Sequence, residues 1–239
     1  MAIGQVAKIL ILLLVFIGSS LGQATPLTDQ IKDLAKINQY HSLEPGFAKG
    51  SLGTRFGLGA EEVLTDSYPS ESIGSEPGSI QFAHAYFHKG TPWPLDVGVV
   101  FSQAIDSDVT KVGSHLQYNV YQGLMMPSLG IRGNWSRTFG LDDAELESIG
   151  ATAVLDYSLF RFFTVFVTST IQDSEITLRR SSGFALTQGE NQRRHFKSLD
   201  QYQTVGLNIR VIPGTADLTA ALIRSDKDEH YTFKIAVGF

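Results

Sequence analysis

The chain has 239 residues, no cysteine, a formal charge of −5 and a mean hydropathy of +0.01. Without a thiol there is no disulfide and no thiolate metal ligand, and the mild acidity gives no general argument for a nucleic-acid partner. A neutral average hydropathy suits a soluble domain, but it also suits a membrane barrel, in which only alternate residues face lipid.

Lys8, the apolar run Ile9 to Ile17 and the small residues after it give residues 1–24 the form of a cleaved secretory signal. The run falls short of the roughly 20 residues that a spanning helix needs. Residues 25–47 are polar, with Leu27, Ile31, Leu34 and Ala35 on one stripe and Pro26 where a first helical turn tolerates it. A short helix or a frayed tail is expected there, ended by Glu44-Pro45-Gly46.

From residue 48 onward the period changes to two, and ten candidate strands follow. Ala48–Ala60 sets Phe56 and Leu58 against Lys49 and Arg55. Ile80–Lys89 has His84 and His88 on one face with Phe82 and Tyr86, which leaves its facing open. Leu95–Asp106, Val112–Gln122, Ser128–Phe139, Glu147–Ser158, Phe162–Gln172, Gln201–Val211 and Thr215–Ile223 repeat the alternation. The final strand sets Tyr231, Phe233, Ile235, Val237 and Phe239 against His230, Thr232, Lys234, Ala236 and Gly238. Short connections such as Gly90–Pro94 and Ile212–Gly214 alternate with longer ones, of which Glu61–Ser79 and Asp173–Asp200 are the largest. The second of these could prolong its flanking strands as a hairpin.

A last strand that stops on an aromatic resembles the closing strand of bacterial outer-membrane β-barrel proteins. The resemblance implies an all-β fold: a closed antiparallel up-and-down transmembrane β-barrel of about ten strands over 48–239, in the outer membrane of a Gram-negative cell. It also implies periplasmic short turns, outer long loops, a periplasmic segment over 25–47 that lies at the barrel mouth or enters it, and assembly machinery acting on the closing strand. Trp93, Tyr157, Phe160, Phe162 and Phe239 fall near the short turns, where an aromatic girdle would sit. A soluble β-sandwich is the competing architecture.

The inward positions carry Lys49, Arg55, Asp96, Arg132, Asp156, Arg210, Asp217 and Lys234, together with Asp106, His115, Gln117, Asn119 and Asn134. Isolated buried charges are costly, so these are expected to pair as a lumen charge network that braces the barrel or sets an ion preference. Ten strands lie near the narrow end of barrel width, where side chains can fill the interior. A porin-like narrow channel for ions or small solutes is the first reading. A non-conducting structural or surface-interaction barrel is the second.

Arg179, Arg180, Arg193, Arg194 and Lys197 concentrate positive charge in one long loop, and Arg forks suit the phosphates of lipopolysaccharide. The expected partners are therefore outer-membrane lipid, lipopolysaccharide and the assembly machinery, with no nucleic acid, cofactor or metal. Asp106-Ser107-Asp108 and Asp228-Glu229-His230 resemble the paired motifs of the omptin surface proteases, which implies a third reading as a rim protease. Their strands are not placed to face each other, so the chain is read as a non-enzyme. The six histidines show no metal-ligand spacing apart from His84 and His88, which share a strand face without lying side by side.

Overall fold

The computed structural model describes residues 26–45, 53–64, 79–121, 127–141, 144–159, 162–178, 194–212, 215–225 and 228–238. The signal expected over 1–24 lies outside the described residues, as do Lys49, Phe160, Arg179, Arg180, Arg193 and Phe239.

Ten strands run in sequence: β1 Thr54–Leu64, β2 Ser79–Gly90, β3 Leu95–Ala104, β4 Thr110–Tyr121, β5 Ser128–Phe139, β6 Ala144–Leu159, β7 Phe163–Leu178, β8 Arg194–Ile212, β9 Ala216–Ser225 and β10 Asp228–Gly238. Each pairs antiparallel with its neighbours, and β1 meets β10 to close the barrel, with Gly57 opposite Ala236 and Leu58 opposite Ile235. Closure leaves no strand edge, as hydrocarbon requires. The expected fold is the observed one.

Because side chains alternate across each strand, one period-two pattern produces two surfaces. Outward positions carry Leu58, Phe101, Leu116, Ile131, Val205 and Ile235, all exposed. Inward positions carry Thr, Ser, Asn, Gln and charged groups, most of them buried. This polarity is the inverse of a water-soluble barrel and matches a lipid-facing belt around a polar lumen. Trp93, Tyr118, Tyr121, Tyr157 and Phe162 ring the short-turn end.

Several boundaries differ from the expected ones. β1 begins at Thr54 and continues past Ala60 to Leu64, which turns Glu61 and Val63 inward. β7 and β8 do extend as a hairpin, with Asp173 opposite Leu199 and Leu178 opposite Arg194. β2 faces His84, His88, Phe82 and Tyr86 inward. Asp106, expected inward, is exposed in the turn after β3, because that strand ends at Ala104.

Helix α1, Pro26–Ile37, is the one α-helix among the described residues. Its Leu34, Ala35 and Ile37 pack against Val63, Ile80 and Phe82, and against Leu146, Ile176 and Leu178, which are inward residues at the long-loop end. Residues 38–45 then descend the lumen. Asn38 accepts from Ser136 and Thr138, Ser42 bonds Arg132 four to six residues lower on the same strand, and Pro45 O lies by Gln117 near the short-turn end. Of the two placements expected for the 25–47 segment, the barrel mouth or the barrel interior, residues 26–45 take the second. An extended backbone carries unpaired N–H and C=O groups, and the polar lumen supplies partners for them.

Candidate functional site in the occupied lumen

The descending segment is held at successive levels. At the top, the Ser136 hydroxyl donates to Asn38 O at 2.6 Å, and Lys111 Nζ donates to Gln39 O at 2.9 Å. Below them the Tyr40 hydroxyl bonds His115 Nδ1, and Tyr202 donates to Tyr40 O at 2.9 Å. Arg132 grips the next turn through the Ser42 hydroxyl and, at 2.9 Å, through Glu44 O. Glu44 closes an ion pair with Lys234. Both partners are almost fully buried, so each neutralises a charge that would otherwise be costly in the lumen.

One carboxylate organises the upper lumen. Glu61 turns in from β1 and meets His41 Nε2 at 3.2 Å, His84 Nε2 at 3.1 Å and Lys111 Nζ at 3.8 Å. His84 Nδ1 in turn shares a 2.7 Å hydrogen bond with the Ser102 hydroxyl. The row Ser102, His84, Glu61 has the order of a nucleophile relay. Ser102 is wholly buried, however, and the backbone around it belongs to the ladders with β2 and β4, so no N–H pair is aimed to hold an oxyanion. The row braces the wall.

The predicted charges divide into separate neighbourhoods. Arg55 pairs with Asp217 at the short-turn end, Arg210 sits opposite Asp217 in register, and Asp156 lies within electrostatic reach of Arg210. Asp96 stands 4.0 Å from His88 and accepts from Asn119 at 3.4 Å. Arg132 and Lys234 serve the descending segment instead. Sequence reasoning missed Glu61, Glu44, His41 and Lys111. The signal for Glu61 was the β1 alternation carried one residue past Ala60.

Glycines in the wall make room for rings in the lumen. A Cβ on Gly113 would fall inside the Tyr40 ring, and one on Gly206 inside the Phe166 ring. Small hollows remain beside the segment, one lined by Ser42, Thr152, Thr168 and Thr204, another by His84, Ser102, Lys111 and Gly113.

At the long-loop end, Lys197 is exposed on the extended part of β8. The side chain of Arg194 lies outside the described residues. Outward register places Arg137, Glu147, Glu175 and Lys197 in one row across β5 to β8. Among the described side chains, the suggested protease residues do not come together. Asp106 and Asp108 are exposed in the turn after β3, whereas His230 is buried and accepts from Leu64 N–H at 3.3 Å.

No protein-family model matches the chain, and a search of the curated proteins returned no match. Among solved structures the fold is similar to the KdgM porin, at 9% identity and a TM-score of 0.39, covering 78% of this chain and 99% of that one. It is similar to the outer membrane protease OmpT from Escherichia coli, at 10% identity and 0.39, covering 83% and 98%. It is also similar to Ail, the attachment invasion locus protein of Yersinia pestis, at 10% identity and 0.35, covering 78% and 96%. These are bacterial outer-membrane β-barrels, the class that the closing strand resembles, and the likeness is one of architecture.

Proposed function

We propose that the protein is an outer-membrane pore for ions or small solutes that its own N-terminal segment holds shut. The observation that carries this reading is the course of residues 38–45 down the lumen, bound by polar contacts at each level. In narrow barrels the wall side chains themselves fill the interior. Here much of the wall is glycine, serine and threonine, and the space is taken by a separate backbone. Withdrawing that backbone leaves a polar, hydrated bore. The outer membrane is the setting that suits the apolar belt, with export through the 1–24 signal. Lipid is the natural neighbour of the belt, and lipopolysaccharide phosphates suit the basic residues Arg179, Arg180, Arg193, Arg194 and Lys197.

Single-channel recording in planar bilayers tests the reading. Full-length refolded protein at neutral pH is expected to be silent, and a chain lacking residues 26–45 to give steady discrete steps. Silence from the shortened chain, once heat-dependent gel mobility has shown it to be folded, would make the barrel a structural or surface-interaction protein.

A further inference from the structure

Five of the six histidines lie in the lumen, and two of them sit where the descending segment meets the wall. His41 belongs to the segment and His84 to β2, and each points an Nε2 at one oxygen of Glu61. The charged and titratable groups facing His41 are Glu61 on β1, His84 on β2, Lys111 on β4 and His230 on β10, with the Tyr202 ring of β8 packed edge-on at 5.1 Å. His84 faces Glu61, His41 and the Ser102 hydroxyl of β3, and lies between the rings of Phe82 and Tyr86 on its own strand.

The charge count of this cluster is simple. Glu61 supplies one negative charge and Lys111 one positive charge, and with both imidazoles neutral the sum is zero. A proton on His41 or His84 adds a second cation beside Lys111, and a proton on each adds a third, with a single carboxylate between them. Burial makes every uncompensated charge costly. The wall members are fixed in their strands, whereas His41 rides on a segment that can leave. Its departure brings its own charge to water and relieves the repulsion at Glu61. In water, on the released segment, His41 takes up its proton in the ordinary histidine range of about pH 5 to 8, so acid favours the released state.

We propose that the His41–Glu61–His84 cluster is an acid-sensitive latch: protonation of the two imidazoles releases residues 38–45 from the wall and opens the bore. The latch rests on the reading of the barrel as a pore shut by this segment. Its chemistry adds what drives the opening, namely protons, with no ligand required. The adjoining pair of Tyr40 and His115 lies one residue away and loosens with it.

The test records planar-bilayer currents of the full chain at symmetric pH 7 and pH 5, beside the double variant His41→Gln/His84→Gln. The wild-type chain is expected to be silent at pH 7 and to show repeated discrete steps at pH 5, at least tenfold more frequent. The variant is expected to stay silent at both. Wild-type silence at both values would overturn the latch and leave the closed pore standing, whereas steady current at pH 7 would overturn the closed pore itself. Opening of the folded variant at pH 5 would assign the effect to other groups and sink the proposal. Should the variant fail to refold, hydrogen exchange over residues 38–45 of the native chain, corrected for the intrinsic pH dependence of exchange, decides instead. Faster corrected exchange at pH 5 supports the latch, and equal rates overturn it.

Discussion

Lys234 and Glu44 show how a single side chain is kept in a lumen. The ammonium of Lys234 lies over the Tyr86 ring, 5.2 Å from its centroid, and pairs with Glu44 while almost no surface of either reaches solvent. Such a pair adds little net stability, but removing one partner strands the other and costs about 3–5 kcal/mol. Lys234→Met is therefore expected to lower the temperature at which the folded gel band is lost. Glu44→Gln combined with Lys234→Met should recover most of that loss, and the four-way comparison measures the coupling. Lys234 was legible as an inward cation from the alternation of the last strand. Its partner was not, because Glu44 stood in a stretch read as the break after a helix, and period-two patterning cannot show that another segment occupies the space it encloses.

Among the elements, α1 depends on an inner surface that the alternation did not reveal. The inward face changes character along the barrel axis: polar through most of its length, then apolar at the long-loop end, where Val63, Ile80, Leu146, Ile176 and Leu178 meet Leu34 and Ile37. Ile80 opens a strand whose facing was left open, and the other wall residues lie in stretches read as loops, so their inward facing was hidden. The helical stripe through Ile31, Leu34 and Ala35 was plain in the sequence, but its counterpart was not. Leu34→Ala removes a wholly buried side chain. Buried Leu→Ala changes cost about 2–5 kcal/mol. The expected result is faster hydrogen exchange over residues 31–37, with the ladders of β1 to β10 keeping their protection. Equally faster exchange across both would mean that helix and barrel form one cooperative unit.

For the whole molecule the governing feature is inverted polarity, which the sequence displayed most clearly: ten alternating segments, a small average hydropathy and an apolar face on nearly every strand. Leu58 and Ile235 face outward opposite each other across the β1–β10 seam. An arginine on the lipid face near the bilayer midplane costs about 2–4 kcal/mol. Ile235→Arg should lower the urea midpoint of unfolding from lipid vesicles accordingly, and a midpoint unchanged in lipid would place that face away from hydrocarbon.

The course of residues 38–45 also constrains how the barrel is made. Helix α1 sits at the long-loop end, residues 38–45 pass down the lumen, and β1 begins only at Thr54, so the wall encloses a segment that precedes it in the chain. A cylinder already sealed at the β1–β10 seam would have to be threaded, and α1 would have to travel the full bore to reach its apolar seat. A sheet still open at that seam can instead wrap around the segment laterally, and the pairing of Arg55 through Glu62 with β10 then becomes the last event of assembly. The lumen contacts are on that account a template for closure as well as a stopper. Weakening them should slow the final zipping of the seam before it changes anything in the finished barrel.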